Sequence, residues 1–202
     1  MVEILPGVFD WVGHNAYIEK DVHSTYIAGE GACVIDPMEP DVDPNWFEDR
    51  GRPQHVFLTN RLHDRACAWW VEHFDCKVWV HETGLHEQEM IDLNAVGFAF
   101  GDSLPGGVEA LSVGALCPEE TALLIPRADG VLAIGDGIMR WDEDLDFPAD
   151  FLMGDDPESV KSGLVESYRK IVSREWDAAV FAHREPIVKG AREAIGAFLD
   201  KH

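Results

Sequence analysis

The run Leu58-Thr59-Asn60-Arg61-Leu62-His63-Asp64-Arg65 places an imidazole, a carboxylate and a guanidinium at three consecutive positions after an apolar strand. A neutral histidine takes a proton near physiological pH, so His63 can serve as a general base or make a structural hydrogen bond. Asp64 can accept that proton or pair with a cation, and Arg65 can pair with a carboxylate or hold an anion through its forked donors. Two more strand ends carry similar groups: Gly135-Asp136 follows one apolar run, and Phe181-Ala182-His183 closes another. Other chemistries lack support. The four cysteines Cys33, Cys67, Cys76 and Cys117 show no CxxC spacing, the histidines form no HxH or HxxxH pair, and no serine stands in a GxSxG context. The acidic run Asp142-Glu143-Asp144 with Asp146 lacks the glycine and terminal glutamate of a calcium loop and reads as a solvated loop.

The elements that must position these groups follow from the hydropathy pattern. Residues 26–37 hold two apolar runs around Gly29-Glu30-Gly31, which reads as a β-hairpin ending at Asp36. His55 to Thr59 reads as a short buried strand. Ala66, Trp69, Trp70, His73 and Phe74 recur at helical spacing, and Cys76 to Val80 returns to strand character. Residues 108–113, 121–125 and 131–134 read as three successive strands, and 178–181 as the last. Pro157 to Val172 carries an apolar stripe behind a capping Asp155 or Asp156, and a final helix covers about Ala191 to Leu199. Trp69-Trp70 fits core plus helix surface better than a ligand platform. Strand runs in both halves, with helices between and after them, fit two sheets covered outside by helices.

Composition bounds the rest. One domain spanning 1–202 is expected, because no Pro/Gly/Ser-rich break divides the chain. No charged-then-apolar leader and no apolar run of membrane length is seen, so a cytoplasmic protein is expected. With 38 acidic against 16 basic residues the formal charge is −22, which repels nucleic acid and anionic membranes. Six lysines beside ten arginines and twenty aspartates fit a high-salt cytoplasm as well as an ordinary acidic protein. At 46% hydrophobic with seven tryptophans the chain folds rather than forming an acidic tail, and Trp-rich helical faces could support a homodimer.

Taken in order, the motifs resemble the metallo-β-lactamase superfamily across residues 24–200: Asp36 after the first hairpin, the 58–65 loop for HxHxDH, Gly101-Asp102 with Gly106 to Leu111, Gly135-Asp136, and His183 with Pro186. The resemblance implies a four-layer αββα sandwich of α/β (α+β) class. It also implies that Asn60 and Leu62 stand where the first two metal histidines would be, Arg65 where the third would be, and Ala115 where the next would follow Gly114. The two-metal site is thus dismantled. Asp64, Asp136 and His183 remain as a set that could hold one divalent ion, whether zinc, iron or manganese, with Arg65 competing for the same carboxylates. No metal is the favoured reading. The expected site is a polar network of Asn60, His63, Asp64, Arg65, Asp136 and His183. It would either bind a small anion or metabolite at Arg65 or serve mainly an interaction role, act as a one-metal hydrolase, or perform acid/base chemistry through His63 or His183. His23 near the cleft and Cys117 near the lost ligand are minor candidates. The superfamily hosts many hydrolytic chemistries, so the resemblance does not select a substrate.

Overall fold

In the computed structural model, which describes residues 1–141 and 144–202, the first four strands form an antiparallel meander. They are β1 (Val2–Leu5), β2 (Val8–Asn15), β3 (Lys20–Ile27) and β4 (Cys33–Ile35). Next come β5 (His55–Phe57), α1 (Cys67–Phe74), β6 (Lys77–His81), α2 (Gln88–Asp92) and β7 (Val96–Phe98). These three strands add in parallel to β4, which the intervening helical segments permit, and a seven-stranded sheet runs β1 to β7 in chain order.

The second sheet begins with β8 (Glu109–Ser112), β9 (Thr121–Ile125) and β10 (Val131–Ile134), all antiparallel neighbours. β11 (Met139–Trp141) and β12 (Asp144–Asp146) form a separate ribbon. After α3 (Pro157–Val172), β13 (Ala178–Phe181) pairs parallel with β10, giving the order β13-β10-β9-β8, and α4 (Ala191–Leu199) closes the chain. Asp156 caps α3 by accepting from Ser159 N at 3.1 Å, with Pro157 in the first turn where its missing N–H costs nothing.

Strand alternation divides the apolar residues among three interfaces. Val131 and Ala133 of β10 face Ile27, Ile35 and Phe57 between the sheets, while Leu132 and Ile134 face Leu164, Tyr168, Ile171, Ile195 and Phe198 of α3 and α4. The outer face of the first sheet buries Val56, Val78 and Val80 against Phe47, Trp70 and Phe74. Three apolar interfaces between four layers make the αββα sandwich expected from the sequence. Trp70 is fully buried, and Trp69 stacks on His73 with ring centroids 4.0 Å apart, so the tryptophan pair is core plus helix surface. Burying a side chain of this size contributes roughly 2–3 kcal/mol.

The sequence pattern did not announce β1, β2 or the β11–β12 ribbon. Within the acidic run, Asp142 and Glu143 lie outside the described residues, and Asp144 and Asp146 are exposed. Cys33, Cys67 and Cys76 are buried free thiols, and Cys117 is a half-buried one. Among the described residues no helix is long and apolar enough to cross a membrane. What matters for the site is that β4, β5, β10 and β13 release their next residues together: Asp36, Thr59, Asp136 and His183 all follow these strand ends.

Candidate functional site

Thr59 leaves β5 and hands the chain to a short 3₁₀ turn, Arg61–His63, capped by Asn60, whose Oδ1 accepts from Leu62 N at 3.0 Å. The turn decides which side chains enter. Leu62 stands 67% exposed, whereas His63 is buried at 4%. Behind it, Asp36 accepts from Thr59 N at 2.9 Å and from Thr59 Oγ1 at 2.6 Å, which locks the strand end to the first hairpin.

His63 sits between two aspartates. Its Nδ1 lies 3.0 Å from Asp36 Oδ2 and 2.9 Å from Thr59 Oγ1, and its Nε2 lies 3.4 Å from Asp136 Oδ1. Burial pushes this imidazole's pKa down, but the carboxylates of Asp136 and Asp36 outweigh it and hold it up at about 10. His63 is therefore an imidazolium at neutral pH. Burial would raise both aspartates, yet the His63 charge holds Asp36 below the usual range, with Arg65 adding to it, and holds Asp136 well below it with the help of a His183 hydrogen bond. His183 Nε2 is 2.7 Å from Asp136 Oδ1, and its side chain is one-fifth exposed. Burial and the neighbouring His63 and Arg65 charges lower its pKa, so a neutral ring donates Nε2–H to Asp136 and keeps Nδ1 as an acceptor.

The other side of Asp136 is closed by Glu120, which is fully buried. Its Oε1 accepts from Asp136 N at 2.7 Å and Gly137 N at 3.2 Å, and its Oε2 accepts from Asn60 Nδ2 at 3.0 Å. The same Asn60 amide donates to Asp136 Oδ2 at 3.1 Å. Burial and the Asp136 charge raise Glu120 to about 8, so it carries a proton at neutral pH. The close approach requires glycine at 135: a Cβ there would fall 2.6 Å from Thr59 Oγ1 and 2.7 Å from Glu120 Oε1. Cys117 Sγ–H points to Glu120 Oε2 at 3.7 Å, and burial raises this thiol to about 12, so it is not a thiolate ligand. Nothing in the sequence pattern singled out Glu120. The only trace of it is a pair of acids, Glu119-Glu120, abutting the apolar strand β9.

The structure thus brings together Asn60, His63, Asp136 and His183. Asp64 stands apart: among the described residues, the three groups whose donor atoms lie within 4.8 Å of one another are His63, Asp136 and His183. Burial raises the Asp64 carboxyl, while the backbone N–H of Arg65 bonds it and partly offsets that. The reason is the 3₁₀ turn, which sends position 63 inward and leaves 64 as its cap. Arg65 also differs from the carboxylate partner expected of it, for its Nη1 donates to the carbonyls of His23 (2.7 Å) and Asp36 (2.6 Å), and its Nη2 to that of Ala182 (3.1 Å). His23 is buried and bonds Asp10 Oδ2 at 2.9 Å, lining with Asp36 and Ala182 a cavity of about 10 Å³, room for one water. Ala115 turns to α3: a Cβ at Gly163 would lie 2.9 Å from that of Ala115.

The donor set fits one metal ion. Two imidazole nitrogens and a carboxylate converge, and the far nitrogen of His63 is held by Asp36, the arrangement that orients metal-bound histidines elsewhere. A second ion finds only Asn60, exposed Leu62 and averted Ala115 where its own histidines would stand.

No family model and no curated protein matches the chain. Solved structures do. Over 99% of this chain and 80% of the other, it superposes with a TM-score of 0.67 and 15% identity on the metallo-beta-lactamase family protein TTHA1429 from Thermus thermophilus. It matches the archaeal metallo-beta-lactamase superfamily protein ST1585 from Sulfolobus tokodaii at TM-score 0.66 and 11% identity, over 96% of this chain and 85% of that one. TTHA1623, solved in a di-iron-bound form, matches at TM-score 0.63 and 19% identity over 91% and 96%. The chain has the metallo-β-lactamase fold, in divergent form.

Proposed function

We propose that this metallo-β-lactamase-fold chain works without a metal pair, as a polar site that binds a small metabolite through His183, not an anion, because Asp136 beside it is ionised and the Arg65 donors are taken by carbonyls. One observation carries the reading, the seat of His63 between Asp36 and Asp136. Its imidazolium and the Arg65 guanidinium match the two ionised aspartates in charge, and Glu120 is protonated at neutral pH. The cluster is electrically closed by its own side chains. His183, oriented by Asp136 and one-fifth exposed, is the group a ligand can reach. A net charge of −22 supports small molecules over nucleic acid or anionic membranes as partners, and suits a cytoplasmic setting, one with high salt included.

Protein prepared without a histidine tag, analysed for metal and titrated calorimetrically with zinc, iron(II) and manganese(II) at neutral pH, tests this. The expected result is far less than one equivalent of bound metal. One equivalent that disappears in Asp136→Ala would overturn the metal-free reading.

The convergence of His63, Asp136 and His183 favours the second reading, a one-metal hydrolase. Those three residues would hold the ion, which would supply an acidified water. Asp36 would keep His63 oriented, and an ion could enter only as His63 gave up its Nε2 proton. Binding that strengthens steeply with pH and releases about one proton is its signature.

A further inference from the structure

Three separate pieces of chain meet at the Arg65 guanidinium. The His23 carbonyl lies in β3 and the Asp36 carbonyl just past β4, both in the seven-stranded sheet, while the Ala182 carbonyl lies just past β13 in the four-stranded sheet. One side chain therefore reinforces the join between the two sheets at the edge where the site lies, where His23 N also donates to the Ala182 carbonyl at 2.9 Å, and it ties that join to the Asp36 carbonyl. Its partners are adjacent to the working groups: Asp36 holds His63, and Ala182 precedes His183. The backbone is strained at both ends of the contact, with φ of 45° at Asp36 and 39° at Arg65, a left-handed region that side-chain-bearing residues seldom enter. Such residues persist where their surroundings over-determine them. Here the surroundings include the Arg65 bond to the Asp36 carbonyl and a bond from Ala66 N to Pro37 O at 3.0 Å.

We propose that Arg65 is the positioning residue of this site. Its fork fixes the strand end bearing His183 against the His63–Asp36 pair, so that both imidazoles converge on Asp136. The guanidinium supplies geometry as well as charge, because three carbonyls in different directions need a planar set of donors that an ammonium on a flexible stem does not offer. This role holds whether or not an ion joins the cluster.

The test uses Arg65→Gly, since glycine accepts the φ of 39° and so removes the side chain without a backbone penalty. Proton NMR of the imidazole N–H signals reads the His63 Nδ1–H bond to Asp36 and the His183 Nε2–H bond to Asp136. Wild type is expected to show both. Arg65→Gly, with unchanged far-ultraviolet circular dichroism, should lose the His183 signal; ethylguanidine should restore it and ethylammonium should not. Persistence of the His183 signal in the variant, or equal rescue by ethylammonium, would overturn the proposal. If the glycine variant does not fold, Arg65→Lys takes its place: loss of the signal supports the role, and a wild-type signal refutes it. Should wild type lack a His183 Nε2 proton because a metal is bound, the metal-free reading fails, and the His63 Nδ1–H signal carries the same comparison for Arg65.

Discussion

Asp136 has two differently built sides. Toward Glu120 it meets neutral groups: a protonated carboxyl that accepts from Asp136 N and Gly137 N and so holds its turn, and the Asn60 amide, which donates to its Oδ2. Toward His63 it meets a buried cation tied to a second aspartate. Geometry fixes the first side and charge balance the second. The two sides should therefore fail differently when cut.

The largest effect is expected on the charged side. Asp36→Ala leaves the His63 imidazolium and the Arg65 guanidinium with Asp136 as their one shared anion and His63 Nδ1 without its carboxylate, and breaking a buried pair from one end costs about 3–5 kcal/mol. Urea unfolding of the variant measures it, and a loss under about 1 kcal/mol would mean that His63 is not held as a cation. On the neutral side Glu120→Ala orphans two backbone donors and an amide, for about 2–3 kcal/mol. Glu120→Gln keeps an acceptor and no charge, so it should lose only about 1 kcal/mol at pH 7. If the two Glu120 variants are equally damaged, the carboxyl is ionised and the contrast between the sides is wrong.

Titration separates the sides further. His63 stands at about 10 in the fold against 6.5 ordinarily, so its stabilisation is complete below about pH 6.5 and is lost as pH rises to about 10. Glu120 stands at about 8 against 4.5, so its proton-linked stabilisation is complete below about pH 4.5 and is lost between there and about 8. Each contributes a decline of at most about 1.4 kcal/mol per pH unit. The Glu120 share of the decline should begin near pH 4.5 in wild type and be missing from Glu120→Gln, where the His63 share still begins near pH 6.5. Stability curves of the two proteins at a series of pH values check this, and coincident curves between about pH 4.5 and 6.5 would remove Glu120 from the account.

The charged side was partly legible in the sequence and the neutral side was not. Asp136 and His183 stand out because each is a polar residue just past an apolar strand, and His63 because it lies in the polar loop after one, and strands β9, β10 and β13 and helices α3 and α4 were readable to the residue from their hydrophobic period and from Pro157. Which residue of His63-Asp64-Arg65 faces inward could not be read from spacing. A single 3₁₀ turn rotates the three positions, and its cap, Asn60, looks in the sequence like a lost ligand. Glu120 stayed hidden because its partners are two backbone N–H groups and an amide 60 residues away, and backbone donors leave no mark in a sequence. The N-terminal strands were missed for another reason: Asp10, Gly13 and His14 interrupt the apolar alternation of β2, which the neighbouring β3 nonetheless completes.

The smallest expected effect falls where the two sides open to solvent. Leu62 occupies the position resembling a second metal histidine, yet it is 67% exposed, so Leu62→His removes little packing and should change stability by less than about 0.5 kcal/mol. A donor at that position, on the outside of the 3₁₀ turn, should not create a second metal site, because Asn60 Nδ2 already donates to Asp136 and Glu120, and Ala115 faces α3. Zinc calorimetry on the variant should therefore match wild type. A newly bound equivalent of zinc would show that the Asn60 turn rearranges to let position 62 inward, and the neutral side would then be held less firmly than its hydrogen bonds imply.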